Sequence, residues 1–281
     1  MKTMRIILAV FFVMVVAVHG FFDISDRLGR DSQPPVITAD SDEITVSVES
    51  TDEEFLAGMK ASDDKDGDVT SSLVVVAKLD FIQKGTFKVN YAAFDSANNV
   101  ATYTRRATYT DYRSPRFVAR SPLRYDAANY SSMLSNIRID DVLDGDITAN
   151  MRVSFGTPDG TRYPTVLSVT NSAGDTAVIS LDVYMEDRLD GIVPAPALDQ
   201  YILYTPVGES IDPEDHLTGI YQNSTVMDFD DISSYSADDV SWDDSAVDYD
   251  TPGEYIITYR LYDEEGDLLG TTELYVIVEE V

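Results

Sequence analysis

The sequence predicts an all-β chain of three tandem sandwich modules behind an N-terminal transmembrane helix, and three observations carry that expectation. The first is a repeated strand–turn–strand signature. Residues 85–101 read GTFKVNYAAFDSANNVA, and from Gly253 the chain reads GEYIITYRLYDEEGDLLG, so that Gly85, Phe87, Val89, Tyr91 and Asp95 are answered by Gly253, Tyr255, Ile257, Tyr259 and Asp263. A fainter copy, SVTNSAGDTAV, starts at Ser168. The second is period-two alternation, with Phe87, Val89, Tyr91 and Ala93 on one face and Thr86, Lys88 and Asn90 on the other, the pattern of a half-buried strand. The third is an apolar run, Ile6 to Phe22, broken by His19 and Gly20 and preceded by Lys2 and Arg5.

That run, residues 6–22 within a first segment of 1–22, is about the length needed to cross a bilayer, and its positive flank holds the N-terminus inside. Two readings stand: a retained membrane anchor, or a signal peptide cut before Phe21. Either exports the rest of the chain. Residues 23–33 are polar and read as a juxtamembrane spacer. The first module, 34–111, opens at Pro34 and Pro35. It has alternating residues from Glu43, a β-branched run from Val74, the Gly85 strand, and a return strand after a left-handed turn at Asn98 and Asn99.

Arg105, Arg106, Arg113, Arg116, Arg120 and Arg124 then form a basic joint, read as a solvated or internally paired surface that docks neighbouring modules. The second module, 112–188, opens at Ser114 and Pro115. It repeats the first at Asp144, Gly145, Asp146 and Thr148, which stand over Asp66, Gly67, Asp68 and Thr70. Pro164 within its closing hairpin predicts a bulge or an edge. Residues 187–197 read as a stiff linker. In the third module, 198–281, Asp212 before Pro213 starts a brief helical turn, an acidic middle from Met227 to Asp250 carries one short strand, and EYIITYRLYD and ELYVIVEE close it.

The chain has 281 residues and a formal charge of −30, and from Leu189 onward its sole Lys or Arg is Arg260. A nucleic-acid partner is repelled by such a surface. With no cysteine there is no disulfide framework, no thiolate metal site and no lipid-attachment box. Catalysis is not expected. His216 is the one histidine outside the apolar run, and it lies in a surface turn with no nucleophile elbow nearby. Tyr91 and Tyr259 face inward and are read as core or tyrosine-corner residues rather than ligand-stacking aromatics.

Taken together, D-x-D-G-D-V-T at Asp64 to Thr70, G-T-F-K-V-N-Y-A-A-F-D at Gly85 to Asp95 and S-A-N-N-V-A at Ser96 to Ala101 resemble bacterial immunoglobulin-like modules. The resemblance is to Ig-like group three or the Ig-like repeat of pesticidal crystal proteins, similar in turn to HYR and cadherin-like domains. The third module departs from the pattern, lacking a D-G-D. The resemblance implies three tandem Ig-like β-sandwiches on a bacterial surface, acting in adhesion and as a stalk; the alternatives are a structural spacer or envelope assembly subunit, or a calcium-dependent carbohydrate-binding module. The expected partner is a cell-envelope or host-surface protein or glycan. It also leaves room for calcium as a cofactor at module ends, with Asp64, Asp66, Asp68, Asp144 and Asp146 as candidates. These residues do not fit an EF-hand, because Val75 stands at the twelfth position. The competing reading is that Asp-Gly forms a turn and the carboxylates accept backbone N–H bonds.

Overall fold

The computed structural model describes residues 11–19, 31–126, 136–186, 194–223 and 225–280. Its contacts divide the chain into two compact units, Met1–Thr110 and Asp111–Val281. Residues 11–19 are helical, and the remainder of the 6–22 run lies outside the described residues. Among the described residues no helix is long and apolar enough to cross a membrane.

The first unit contains β1 (Val36–Ala39), β2 (Glu43–Val46), β3 (Met59–Asp63), β4 (Gly67–Asp68), β5 (Val74–Lys78), β6 (Thr86–Phe94) and β7 (Val100–Tyr109). They form two sheets, ordered β1-β3-β4 and β2-β7-β6-β5. β1 runs antiparallel to β3, whereas β2 crosses to the other sheet and runs parallel to β7. The alternation of β6 buries Phe87, Val89, Tyr91 and Ala93 between the sheets, against Met59 and Ala61 of β3. Asn98 adopts φ 65° in the β6–β7 turn, the left-handed conformation that Asn tolerates.

A one-turn helix, Asp52–Phe55, is an element that the sequence reading missed. The Glu54 carboxylate accepts the Thr51 N–H at 2.8 Å, a capping arrangement visible in the sequence as T-x-x-E. It fixes Phe55 in the core, where the Phe55 carbonyl accepts the Tyr91 hydroxyl at 2.9 Å.

The second unit holds two further sandwiches of the same plan. One is made of β8 (Arg116–Ala119), β9 (Arg124–Asp126), β10 (Ile137–Asp141), β11 (Gly145–Asp146), β12 (Arg152–Phe155), β13 (Arg162–Thr170) and β14 (Thr176–Glu186). The other comprises β15 (Ala195–Leu198), β16 (Ile202–Pro206), β17 (Leu217–Gln222), β18 (Thr225–Asp228), β19 (Val240–Asp243), β20 (Gly253–Tyr262) and β21 (Leu268–Glu279). Their sheets are β11-β10-β8 with β12-β13-β14-β9, and β15-β17-β18 with β16-β21-β20-β19. The parallel pairing of the first unit recurs in β9 with β14 and in β16 with β21. Pro164 is not at an edge: it pairs with Asp182 of β14, and on the other side its carbonyl accepts Gly156 N–H at 2.6 Å, just past the last β12 pair of Phe155 with Thr165.

One part of the sequence reading changes here. Residues 195–197, read as linker, belong to β15 and are buried, because Ala and Pro are small enough to lie close under β17 and β21. Thr272 donates to the Pro196 carbonyl at 2.6 Å, and Gly270 leaves room for Pro194, whose carbonyl would sit 2.4 Å from any Cβ at that position. The two sandwiches of the second unit also share one buried cluster, in which Phe117, Ile139 and Leu167 of one are continuous with Tyr259, Leu261 and Val276 of the other.

Directional contacts tie them further. The Tyr204 hydroxyl accepts the Phe117 N–H at 2.9 Å, the Tyr275 hydroxyl accepts the Asp182 N–H at 2.7 Å, and Tyr201 N–H donates to Ala119 carbonyl at 2.8 Å. Two arginines of the basic joint serve this contact: Arg116 pairs with Glu279 and lies over the Tyr204 ring, and Arg124 donates to the Thr271 carbonyl at 3.3 Å. Burial pushes the Tyr201 and Tyr204 hydroxyls up to about 12, so both stay neutral at physiological pH.

Tyr259 is fully buried and its hydroxyl donates to the Pro213 carbonyl at 2.8 Å. Tyr259→Ala is expected to destabilise the second unit by about 3–5 kcal/mol. Because the cluster is shared, hydrogen exchange should accelerate together in β13–β14 and β20–β21. Acceleration confined to β20–β21 would show that the two sandwiches unfold separately.

Candidate functional site

The repeated Asp-Gly turns have a specific local job. The Asp66 carboxylate accepts Ser96 N–H at 2.6 Å and Ser96 hydroxyl at 2.9 Å, which clamps the β3–β4 turn to the β6–β7 turn. In the next sandwich Asp144 accepts Ser172 N–H at 2.7 Å and its hydroxyl at 2.6 Å in the same way. Asp68 accepts Thr70 N–H at 2.9 Å and Asp146 accepts Thr148 N–H at 3.0 Å, each starting a short 3-10 turn. Hydrogen bonds from these threonines hold both carboxyls below their ordinary value. Asp64 is an exposed residue of the turn.

Beside these turns lies a different group. One carboxylate oxygen each from Asp31, Asp63 and Asp95 lie within 4.8 Å of one another. Among the described residues this is the acidic group close enough to share one cation, and Asp64, Asp66, Asp68, Asp144 and Asp146 are not part of it. β3 ends in Asp63, the β6–β7 turn begins with Asp95, and Asp31 comes from the segment before β1. The Asp31 side chain is 8% exposed, and Asp63 and Asp95 are 9% and 7% exposed.

Asp63 Oδ1 accepts the N–H groups of Lys65 and Asp66, at 2.9 and 3.0 Å, and these bonds hold its carboxyl below the ordinary value. Asp95 accepts Asn99 N–H at 2.8 Å and Asn99 Nδ2 at 2.6 Å. Asp31 Oδ2 and Asp63 Oδ2 are buried and receive no hydrogen bond from the described residues. One cation approaches: Lys65 Nζ, itself half exposed, lies 3.6 Å from Asp31 Oδ1.

The second sandwich solves the same corner differently. Asp141 stands where Asp63 stands, at the end of the equivalent strand, and its Oδ1 accepts Leu143 and Asp144 N–H, both at 2.9 Å. Asn171 occupies the position of Asp95, and its Nδ2 donates to Asp141 Oδ2 at 3.0 Å and to the Tyr112 hydroxyl at 2.9 Å. The Tyr112 hydroxyl in turn donates to Asp175 at 2.8 Å. Neutral donors there satisfy what carboxylates leave open in the first unit. Sequence reading singled out the neighbouring aspartates because they fall in the repeated D-G-D. The signal it could have used is the exchange of Asp95 for Asn171 at one repeat position.

The third sandwich carries an open groove lined by Phe229, Ile232, Tyr235, Tyr262, Glu264 and Glu265. Its rings are half-buried and its glutamates exposed, and Ser233, Ser234, Ser236, Asp239 and Asp263 complete a mostly polar, acidic lining. His216 Nδ1 lies 3.0 Å from Asp199.

Residues 38–108 match a family described as bacterial surface protein, Ig-like domain. No curated protein matches the chain in sequence. Similar solved structures include the CBM51-2 domain in complex with GlcNAc and the INT domains of Clostridium perfringens ZmpB. It is 16% identical, covering 57% of this chain and 30% of that one at a TM-score of 0.22. A second structure, of the M60 catalytic domain with CBM51-1 and CBM51-2 of ZmpB, is 16% identical over 89% of this chain and 31% of that one, at 0.21. The human Desmocollin-1 ectodomain is 10% identical over 88% and 62%, at 0.18. The chain thus spans under a third of the two ZmpB structures. At such TM-scores these likenesses carry no functional argument.

Acid should act on the Asp turns with a defined sign. Asp68 and Asp146 have folded values below the ordinary 3.8, so their contribution is whole above that value and is lost as pH falls through the lower folded values. Asp68→Asn and Asp146→Asn are expected to flatten the fall in urea midpoint below about pH 4. An unchanged acid slope in the double variant would refute the assignment.

Proposed function

We propose that the chain is a non-enzymatic bacterial surface protein that acts in adhesion or binding, with its tandem Ig-like modules serving also as a stalk. The observation that carries this reading is the match of residues 38–108 to a bacterial surface Ig-like domain, joined to the same two-sheet plan in all three sandwiches. In the proposal, residues 6–22 hold the chain at the membrane with the N-terminus inside, or are removed to leave it secreted. The modules are taken as 34–111, 112–188 and 198–281.

The groove of the third sandwich is the proposed contact surface. Half-buried rings supply area at low entropic cost, and Glu264 and Glu265 at its rim favour a partner that presents basic groups. The partner class is a cell-envelope or host-surface protein or glycan. A pure spacer or assembly subunit would leave the groove without a ligand.

The purified exported region, from residue 23, is expected to bind whole cells or their envelope fractions saturably and more weakly as salt rises. Tyr235→Ala combined with Glu264→Lys and Glu265→Lys should weaken that binding at least about tenfold, the cost of one well-placed aromatic contact. Binding unaffected by the triple variant would move the contact elsewhere. Absence of binding, with envelope defects on gene deletion, would favour the spacer.

A further inference from the structure

We infer that Asp31, Asp63 and Asp95 bind one hard divalent cation, with calcium favoured by its coordination shell, and that this ion fastens the segment before β1 to two turns of the first sandwich. The inference does not rest on the surface-binding reading. It rests on a deficit of positive charge and of donors at a place where both are needed. Three carboxylates meet within 4.8 Å, and the Asp31 and Asp63 side chains are nine-tenths buried. One oxygen on each of these two, Asp31 Oδ2 and Asp63 Oδ2, receives no hydrogen bond from the described residues.

A buried carboxylate oxygen without a donor is strongly unfavourable, and it is relieved by protonation or by a cation. Asp63 Oδ1 already accepts the Lys65 and Asp66 N–H groups, at 2.9 and 3.0 Å, an arrangement that suits a carboxylate. Lys65 reaches one oxygen of Asp31 from a half-exposed position, and among the described residues neither Asp63 nor Asp95 has an ion-pair partner. The second sandwich supplies an internal control. There Asn171 donates to Asp141 Oδ2, the counterpart of the bare Asp63 Oδ2, and among the described residues no comparable carboxylate group forms.

Ligand chemistry narrows the ion. The group offers oxygen alone, from three carboxylates and with no histidine, which suits calcium or magnesium rather than zinc. Calcium takes about six to eight oxygens in a flexible shell, which suits three carboxylates that come from independent segments. Magnesium shells, at about 4.2 Å across, are narrower and retain most of their water. Up to six carboxylate oxygens are present, and solvent completes the shell.

The three ligands are far apart in sequence, so the ion would act as a cross-link. Asn99 already bridges two of these segments, donating to Asp95 and, at 3.2 Å, to the Gln33 carbonyl. Calcium would therefore order residues 31–33 on the body of the sandwich.

The test uses the full chain, solubilised where its apolar run requires it and stripped of metal. It is titrated calorimetrically with CaCl2, MgCl2 and ZnCl2 up to about 10 mM, a range that covers extracellular calcium modules. One saturable calcium site is expected, with binding at least tenfold weaker in Asp31→Asn and in Asp63→Asn. Calcium should slow hydrogen exchange at residues 31–33 and raise the melting temperature. Asp95→Asn is the decisive variant, since it recreates the Asn171 arrangement: it should lose the calcium response while melting higher than the parent in the absence of metal. Asp31→Asn and Asp95→Asn keep the test valid should Asp63→Asn fail to fold. No saturable calcium binding, or binding undiminished in Asp31→Asn and Asp95→Asn, would overturn the site. Equal or tighter binding of magnesium or zinc would overturn the choice of calcium.

Discussion

The long hairpin that closes each sandwich is the contact on which the rest depends. β6–β7, β13–β14 and β20–β21 are the longest antiparallel pairs, and each occupies the middle of its larger sheet. One strand of the pair turns alternate apolar residues inward, and this sets which face the opposing small sheet must cover. The other strand takes the incoming chain in parallel, through β2, β9 or β16. That parallel addition lets the first edge of the module contribute to both sheets, closing the sandwich without a further element. Tyr91 and Tyr259 then pin a loop from the opposite side through their hydroxyls, to Phe55 and Pro213 carbonyls.

Charge acts on this scaffold through scarcity of cations. With 20 Lys and Arg against 50 Asp and Glu, most carboxylates must face water or accept backbone N–H bonds. The arginines are correspondingly placed where a cation replaces several neutral donors. Arg105 is buried and donates to the carbonyls of Ala57 and Glu43, and Arg116 and Arg124 join the two sandwiches of the second unit. A guanidinium suits these positions because it makes several fixed hydrogen bonds and stacks on a ring, as Arg116 does on Tyr204.

Most of the fold was legible because its signals are periodic. Alternation identified β6 and β20 and their inward faces, and Asp212 before Pro213 marked the 3-10 turn Pro213–His216, where the Asp212 side chain accepts Glu214 N–H. The misses have physical causes. β15 is four residues of Ala, Pro and Leu, a composition that reads as linker until β17 and β21 are seen to cover it. The shared cluster of the second unit is a property of two surfaces meeting, and Phe117 or Tyr201 carries no local mark of which module it will touch. The Asp31, Asp63 and Asp95 group was illegible for the same reason, since its members come from three distant segments. The D-G-D repeat drew notice instead, and its side chains are taken up by Ser96, Thr70, Ser172 and Thr148.

If the proposed ion binds, one side-chain exchange separates a self-sufficient corner in the second sandwich from an ion-dependent one in the first. The β6–β7 and β13–β14 turns have the same geometry: Asp95 N–H donates to Asn99 carbonyl at 3.3 Å and Asn171 N–H to Asp175 carbonyl at 3.0 Å. An amide at this position carries its own donor to the neighbouring aspartate, and a carboxylate carries none. Backbone geometry is therefore indifferent to the exchange while the local charge balance is not. In the Asn corner the Asn171 amide donates to Asp141 Oδ2 at 3.0 Å, whereas in the Asp corner Asp63 Oδ2 receives no hydrogen bond from the described residues. A repeat scaffold can thus place a condition-dependent joint at one module and a permanent one at the next without altering a strand.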